Sequence, residues 1–334
     1  MHATGAAAGA PDAPMIRLEG VSKTYPGGSV AVRELDLDVA RGELVCLVGP
    51  SGCGKSTTLK MINRLVDPTT GRIEIEGRDV TAGDPVRLRR GIGYVIQQVG
   101  LFPHQRITTN VMTVPLLYGE SKATARARAH ELLELVGLDP AEFGGRYPHQ
   151  LSGGQRQRVG VARALAADPP VLLMDEPFGA VDPVVRGRLQ EEFLRLQREL
   201  GKTVVLVTHD IDEAVRMGDR VAVFAAGGVL KQYAAPAVLL AHPVDDDVAA
   251  FVGAERGLRR LTVTPIDPTH LETVDGVRAA DLGATVDVTA TLEEALAVML
   301  RDDRPAVGVT DGARIVGVLT PAGIHRSLRA SLNA

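Results

Sequence analysis

The sequence contains no tryptophan, and aromatic residues make up only 3% of the chain. Proteins that bind single-stranded nucleic acid stack bases on exposed aromatic rings, so this scarcity gives no sign of such a surface. An excess of one charge is missing too, because 41 acidic and 37 basic residues leave a net charge of −4. This balance indicates neither a nucleic-acid-binding surface nor a polybasic membrane anchor.

Long hydrophobic runs and a disulfide framework are also absent from the sequence. No segment approaches the about 20 uninterrupted apolar residues that a transmembrane helix needs, so we expect a protein that is cytosolic or docked peripherally at the cytoplasmic face of the cell membrane. The only cysteines are Cys46 and Cys53, which suggest no disulfides. Residues 1–14 lack the basic start and apolar stretch of a signal peptide, and we expect a disordered tail there.

The chain does contain a glycine-rich loop between a predicted strand and a predicted helix. Residues 49–56 fit the phosphate-loop pattern G-x-x-x-x-G-K-[ST], after an apolar run at 43–48 and before a helix predicted over 57–65. In such a loop, backbone N–H groups surround phosphates, Lys55 reaches the terminal ones and Ser56 can hold Mg²⁺. The candidate ATP-binding residues here are Gly49, Ser51, Gly52, Cys53, Gly54, Lys55, Ser56 and Thr57.

Two further apolar strands end in residues suited to hydrolysis. Residues 171–174 lead into Asp175 and Glu176, at the carboxyl end of a strand, which is where ligands of open α/β sheets bind. We assign Asp175 to Mg²⁺ and Glu176 to polarising the water that attacks the γ-phosphate. The strand over 203–208 runs into His209, which we interpret as a γ-phosphate contact that positions this water and Glu176.

These motifs resemble those of the ATP-binding subunits of ABC transporters, and the resemblance runs from about Met15 to Phe251. Residues 151–155, Leu-Ser-Gly-Gly-Gln, match the family's signature motif without a departure. A serine and two glycines at a helix start form a second anion cradle. Because the resemblance places this cradle against the ATP of another subunit, we expect the signature residues to act on a partner's nucleotide: Ser152, Gly153, Gly154 and Gln155.

The resemblance gives roles to three more residues. Gln97 is expected to be the glutamine of the Q-loop, which contacts Mg²⁺ and water and senses the membrane subunit, while its neighbour Gln98 is less suited to that role. Tyr25 matches the aromatic residue that stacks on adenine. Residues 179–182 resemble the D-loop, but they read Gly-Ala-Val-Asp where the family more often has Ser-Ala-Leu-Asp, so only Asp182 is carried over.

The fold that this resemblance implies is an α/β P-loop NTPase, the ABC ATPase domain, over residues 15–254. It comprises a RecA-like core, an antiparallel β layer and a helical subdomain inserted at about 99–166. The implied cofactors are ATP and Mg²⁺, and the implied active form is a head-to-tail homodimer that closes on two ATP molecules. Further expected partners are membrane permease subunits and, indirectly, a substrate-binding protein, with no nucleic acid. Residues 100–104 are our candidate docking surface for the permease, the alternative being a hydrophobic turn packed within the domain.

The C-terminal region has a different pattern. Residues 283–334 show a β-α-β-β-α order that resembles a CBS domain, carried by residues 291–295 and 317–320. CBS units usually occur in pairs. Residues 255–282 are therefore a linker or a degraded first copy, or else the single copy pairs with its twin across the dimer. We expect this region to stabilise the dimer or to regulate it.

An ABC ATPase followed by CBS-like sequence resembles the importers of quaternary amines such as glycine betaine, choline, carnitine and proline betaine. Residues 61–65, 92–104 and 251–258 read like that subgroup. The expected function is therefore ATP hydrolysis that energises import of such a compatible solute. The alternatives are an importer ATPase for another small solute, such as amino acids, and a soluble ABC ATPase that remodels ribosomes, DNA or Fe–S assemblies. Soluble members usually carry two ATPase domains or a long coiled-coil insertion, and this chain shows neither.

Overall fold

The computed structural model describes residues 13–96, 100–179, 181–273, 284–312 and 314–332. The chain forms two compact units. The first comprises Met1–Asp210 with Ala222–Lys231, and the second comprises Ile211–Val221 with Gln232–Ala334. Most of the tail predicted at 1–14 lies outside the described residues, and so do Gln97 and residues 274–283. The domain boundaries at 254 and 283 stay predictions, because the compact units divide the chain elsewhere.

The first unit is built on two sheets. Their strands are β1 (Ile16–Thr24), β2 (Val30–Val39), β3 (Leu44–Val48), β4 (Thr70–Ile75), β5 (Arg78–Asp79), β6 (Ile92–Val95), β7 (Val171–Asp175), β8 (Thr203–Val207), β9 (Arg220–Ala225) and β10 (Val229–Ala234). The smaller sheet has the order β2-β1-β4-β5 and the larger one β10-β9-β3-β8-β7-β6. In the larger sheet, β3, β8, β7 and β6 run parallel, so their carboxyl ends meet at one edge.

Hydrophobic patterning explains the difference between the two sheets. In β1, Ile16 and Leu18 are buried while Glu19 is exposed, as expected for an antiparallel strand with one solvated face. Every residue of β3 and β8 is buried, which is typical of parallel strands covered on both faces. This structure confirms the predicted antiparallel layer beside a parallel core.

The helices of the first unit include the predicted insertion. They are α1 (Lys55–Ile62), α2 (Pro85–Arg90), α3 (Ile107–Leu117), α4 (Lys122–Leu135), α5 (Pro140–Phe143), α6 (Gly153–Leu165) and α7 (Pro183–Leu200). Helices α3, α4 and α6 pack against one another and form the helical subdomain. The helix predicted over 57–65 begins two residues earlier, at Lys55, because Gly54 ends the loop in a left-handed conformation directly before α1. It also ends three residues earlier, at Ile62.

The second unit contains the β-α-β-β-α order seen in the sequence. Its elements are α8 (Ile211–Met217), α9 (Pro236–Ala241), α10 (Asp246–Val252), α11 (Arg256–Val263), β11 (Thr285–Asp287), α12 (Leu292–Arg301), β12 (Val307–Asp311), β13 (Arg314–Leu319) and α13 (Pro321–Ala330). The three strands form one sheet, in which β11 is parallel and β13 antiparallel to the central β12. The CBS assignment of this module stays a prediction.

The segment preceding this module takes part in its core. Leu261 of α11 and Ile266 are buried together with Leu292 of α12 and Leu319 of β13. The part of residues 255–282 that is described is therefore packed structure. Across the described residues, no helix has both the length and the apolar character required to cross a bilayer.

Candidate nucleotide-binding and hydrolysis site

The glycine-rich loop connects β3 to α1 in a conformation that only glycine adopts without strain. Gly49, Gly52 and Gly54 have φ angles of 142°, 78° and 97°. A Cβ atom on Gly49 would lie 2.2 Å from the carbonyl oxygen of Phe224, and one on Gly54 would lie 2.2 Å from that of Ala31. The first and last of these glycines are therefore required by space as well as by backbone conformation.

Lys55 is the first residue of α1 and is only 7% exposed. Its Nζ donates hydrogen bonds to the carbonyl oxygens of Gly49, at 2.7 Å, and Pro50, at 2.9 Å, and lies 3.5 Å from the Sγ atom of Cys53. The loop thus wraps around a buried ammonium group at a helix N-terminus. Positive charge combined with helix N–H groups is suited to binding phosphate.

Ser56 and Asp175 bring two oxygen ligands together at the edge of the sheet. The Ser56 hydroxyl donates to Asp175 Oδ1 at 2.9 Å. Burial raises the pKa of Asp175, and this hydrogen bond opposes part of the rise. A divalent cation would compensate the charge of this half-buried carboxylate, and Mg²⁺ prefers hard oxygen ligands. The two residues therefore fit the Mg²⁺ predicted from the sequence.

Glu176 and His209 lie next to each other at the ends of β7 and β8. Glu176 Oε1 is 3.3 Å from His209 Nδ1, and the Glu176 side chain is 22% exposed. Glu176 has a φ of 48°, a left-handed conformation that costs a non-glycine residue about 1–3 kcal/mol. Its N–H donates to the Val207 carbonyl at 2.9 Å, and its carbonyl accepts from the Gly179 N–H at 3.2 Å. These hydrogen bonds hold the strained residue in place.

The signature motif forms the start of α6. The Ser152 hydroxyl accepts from the Gln155 N–H at 3.2 Å, and Gln155 Oε1 accepts from the Ser152 N–H at 2.8 Å. This reciprocal capping box satisfies two backbone donors at the helix start. The side chain of Gln155 thus stabilises the local shape of the motif, while Ser152 is exposed and Gly153 and Gly154 are half-buried.

Two other predicted site residues lie on loops of the first unit. Tyr25 follows β1, where its N–H donates to the Ser29 carbonyl at 2.9 Å and the Lys23 ammonium lies 5.4 Å from its ring centroid. Asp182 is exposed directly before α7, and its carbonyl accepts from the Arg186 N–H at 2.9 Å. The roles of Tyr25 and Asp182 toward nucleotide stay predictions, as does that of Gln97.

Comparison with known proteins decides the family. Residues 32–179 match a protein-family model described as ABC transporter. The chain is 55% identical to the glycine betaine/carnitine/choline transport ATP-binding protein OpuCA of Bacillus subtilis (strain 168), over 72% of this chain and 63% of that protein. It is 47% identical to the choline transport ATP-binding protein OpuBA of the same organism, over 90% of this chain and 77% of that protein. The chain belongs to the ATP-binding proteins of ABC transporters.

Solved structures agree with this membership. A dimeric bacterial ABC transporter cassette resembles this ABC ATPase with a TM-score of 0.61 and 39% identity, covering 66% of this chain and 99% of that one. A second dimeric cassette structure, in a post-hydrolysis state bound to ADP and Pi, has the same TM-score and 38% identity over the same shares of the two chains. The predicted P-loop ABC fold is confirmed.

Three polar residues of this ABC ATPase have surroundings that were not foreseen from its sequence. Gln157 donates from Nε2 to the carbonyl oxygen of Glu176 at 3.3 Å. Arg186 of α7 donates to the Val181 carbonyl at 3.2 Å and lies 3.7 Å from the carboxylate of Asp210, the neighbour of His209. Burial, with a smaller contribution from the charge of Asp175, raises the pKa of Tyr94 to about 12.

Only one of these residues left a signal in the sequence. Gln157, Val161 and Ala164 recur at helical spacing on the buried face of α6. Gln157 therefore stands out as a polar residue at a position where the pattern predicts an apolar one. Arg186 and Tyr94 are half-buried residues, and their charged neighbours Asp210 and Asp175 are distant in sequence, so neither carries such a signal.

Proposed function

We propose that the protein hydrolyses ATP to energise import of a quaternary-amine compatible solute, at the cytoplasmic face of the cell membrane. The observation that carries the ATPase assignment is the arrangement at the carboxyl edge of the sheet. There the Glu176–His209 pair adjoins the Ser56–Asp175 pair, at the end of a phosphate loop that contains a buried lysine. Phosphoryl transfer needs mainly positioning and charge stabilisation, which these residues supply.

The proposal gives each of these residues a role in binding or hydrolysis. The loop N–H groups and Lys55 bind the phosphates, and Ser56 and Asp175 hold Mg²⁺, which neutralises phosphate charge when bound. Glu176 accepts a proton from the attacking water, a contribution of about 10²–10⁴-fold for a general base. His209, 62% exposed, contacts the γ-phosphate and keeps the Glu176 carboxylate in position.

The active form in this proposal is a homodimer with two composite sites. The signature motif lies at the N-terminus of α6, where Ser152 is exposed, whereas the phosphate loop lies at the N-terminus of α1. The similar cassettes are dimers. A head-to-tail dimer places the signature of one copy against the phosphate loop of the other, and the assembled site then forms only on closure.

The solute class rests on the relatives. In addition to OpuCA and OpuBA, the chain is 49% identical over 89% of its length to the osmoprotectant import ATP-binding protein OsmV of Salmonella typhimurium. A second candidate, import of a different small solute, is favoured by 46% identity over 73% of the chain to the sulfate/thiosulfate import ATP-binding protein CysA of Thermosynechococcus vestitus. We favour quaternary amines because the OpuBA and OsmV matches extend beyond the ATPase core.

The candidate docking surface for the permease lies at the start of the helical subdomain. Phe102 is 39% exposed, and fully buried Asn110 holds its turn, accepting from the Phe102 N–H at 2.7 Å. In the same subdomain, a groove of about 420 Å³ is lined by residues of α3 and α4 and by residues 140–145, among them apolar Met112 and basic Arg106 and Arg126. Grooves that offer apolar side chains to an amphipathic helix are a common mode of binding a partner. We propose that a cytoplasmic helix of the permease docks here.

Solute uptake by cells tests this function. Radiolabelled glycine betaine, choline and sulfate are supplied to cells with and without this subunit, at low and high external salt, with redundant carriers removed. We expect deletion to abolish glycine betaine or choline uptake, and the wild-type chain but not Lys55→Ala to restore it. Loss of sulfate uptake alone would support the second candidate, and unchanged uptake of all three would contradict both solute assignments.

A further inference from the structure

Gln157 connects the signature helix to the proposed general base of the same chain. It lies on α6, five residues after Ser152, and is 2% exposed. Its Nε2 donates to the carbonyl oxygen of Glu176 at 3.3 Å. Glu176 is the strained residue of the site, with a φ of 48°, so a hydrogen bond to its carbonyl acts on the peptide unit that sets the direction of its side chain.

The carbonyl oxygen of the Gln157 side chain indicates that packing alone does not account for a glutamine at this position. Its Oε1 is buried and finds no hydrogen-bond partner among the residues that the structure describes. Burying an unpaired polar atom is unfavourable, and a methionine would fill a similar volume without that cost. Apolar side chains surround the position, including Val161, Phe178 and Phe193. Of the two polar groups of this amide, the N–H is the one for which the structure shows a hydrogen bond, and it goes to the Glu176 carbonyl.

The same two segments lie close together at a second point. A Cβ atom on Gly154 of the signature would lie 3.7 Å from a methyl group of Val181, in the loop that follows Glu176. That loop is closed by the hydrogen bond from the Gly179 N–H to the Glu176 carbonyl, the oxygen that Gln157 also contacts. The signature helix therefore contacts the loop after β7 through Gln157 and lies close to it again at Gly154, so a shift of the helix would act on Glu176.

We propose that Gln157 is a positioning residue that couples the two ATP sites of the dimer. When the signature of one copy engages the nucleotide of its partner, α6 moves, and Gln157 transmits this movement to Glu176 at the copy's own site. Each general base then adopts its working position only when the opposite site is filled. This inference rests on the proposed ATPase dimer, and it adds a residue and a route of communication to that proposal.

The test is Gln157→Met in the full-length protein, measured by ATP hydrolysis against ATP concentration and by thermal unfolding. We expect kcat to fall by about 10-fold or more, because loss of positioning acts on the chemical step. KM for ATP is expected to stay within about 2-fold, since Gln157 does not contact the phosphate loop, and the Hill coefficient is expected to fall toward 1. The melting temperature is expected to change little, because removal of the unpaired oxygen offsets the loss of the hydrogen bond to Glu176.

Gln197→Met is the matched control. Gln197 is also a buried glutamine, 5% exposed, and its Nε2 donates to the carbonyls of Gly42, at 2.7 Å, and Lys202, at 2.8 Å, away from the hydrolysis site. We expect this variant to melt at a lower temperature with wild-type kcat and cooperativity. The inference is overturned if Gln157→Met keeps the wild-type kcat and Hill coefficient, or if it loses stability and activity together. Wild-type protein no more active than Lys55→Ala would instead overturn the ATPase assignment itself.

Discussion

At the scale of single residues, the hydrolysis site depends on backbone positions that most side chains cannot occupy. Glu176 has a left-handed φ of 48°, and the loop glycines have φ angles of 78–142°. Each of these positions turns the chain sharply at the carboxyl end of a buried strand. The functional groups reach the edge of the sheet because the backbone is strained or free of side chains there.

Replacing the carboxylate of Glu176 by an amide tests its assigned role. Glu176→Gln keeps the size of the side chain but cannot accept the proton of the attacking water. We expect ATP binding within about 3-fold of wild type and kcat reduced by about 10²–10⁴-fold, with the ATP-bound dimer trapped in its closed form. Single-turnover hydrolysis and size-exclusion chromatography with ATP measure the two effects. Hydrolysis near the wild-type rate would show that another group acts as the base.

Alanine at two glycines of the loop separates steric overlap from backbone strain. A Cβ on Gly54 would meet the Ala31 carbonyl oxygen at 2.2 Å, whereas one on Gly52 would meet nothing within 4 Å. The positive φ costs either alanine about 1–2 kcal/mol. The overlap adds about 1–3 kcal/mol for Gly54→Ala alone. We expect urea unfolding to show this difference, and equal losses of stability for the two variants would contradict the geometry of the loop.

The sequence predicted local residues of the site better than distant contacts. The phosphate-loop pattern identifies Lys55 and Ser56, because their geometry is set by neighbouring glycines within eight positions. The hydrogen bond from Gln157 to Glu176 spans 19 positions and depends on how α6 packs on the sheet. Patterning shows that Gln157 faces the interior, but it does not show which carbonyl lies opposite.

At the scale of elements, helix starts are set by side chains that cap them. Ser121 caps α4 by accepting from the Thr124 N–H at 3.1 Å, and Thr291 caps α12 through a capping box with Glu294. Such residues are visible in sequence, and the apolar residues Leu292, Leu296 and Met299 at helical spacing predict the α12 helix from Leu292 to Leu300. The extent of α11 was not predicted, because its burial of Leu261 depends on strands that come later in the chain.

Removing one cap at a time tests whether the two units are stabilised separately. Thr291→Ala deletes the cap of α12 in the second unit, and Ser121→Ala deletes that of α4 in the first. Each loss is expected to cost about 0.5–2 kcal/mol. Hydrogen exchange is expected to increase in the helix that loses its cap, and in the other unit to stay at the wild-type level. Increased exchange in both units after either substitution would show that they unfold together.

At the scale of the whole molecule, the proposed dimer completes each ATP site with residues of both copies. The phosphate loop supplies Lys55, at the start of α1, and the signature supplies Ser152, at the start of α6. A symmetric head-to-tail dimer uses the same pair of surfaces twice. A defect in the phosphate loop of one copy and a defect in the signature of its partner therefore fall on the same site and leave the second site intact.

Mixing two inactive variants tests this arrangement. Lys55→Ala removes the phosphate-binding lysine, and Ser152→Ala removes the signature serine. In a mixed dimer, one site carries both defects and the other carries neither. Equal mixing yields half mixed dimers, so about a quarter of wild-type activity is expected for independent sites. Coupling through Gln157 would reduce this recovery further. No recovery after verified subunit exchange would contradict composite sites.

The C-terminal module is expected to respond to ionic strength. Arg259 of α11 is ion-paired with Asp212, in the first turn of α8, which begins two residues after His209. Salt weakens such partly exposed pairs, since the Debye length is about 8–10 Å at physiological salt. Removing residues from Gly257 onward is expected to preserve basal ATPase activity and to alter its salt dependence in the reconstituted transporter. Identical salt profiles for full-length and truncated protein would contradict a regulatory role.

The hydrogen bonds of Lys55 have a thermodynamic consequence for nucleotide binding. Its ammonium already donates to the Gly49 and Pro50 carbonyls. When phosphate approaches, these bonds are exchanged for charge-assisted ones, so the enthalpy gained at this residue is a difference between two sets of contacts. The lysine is also ordered beforehand, and little side-chain entropy remains to be lost. Calorimetric profiles of ATP binding should thus show a modest enthalpy with a small entropic penalty from this side chain.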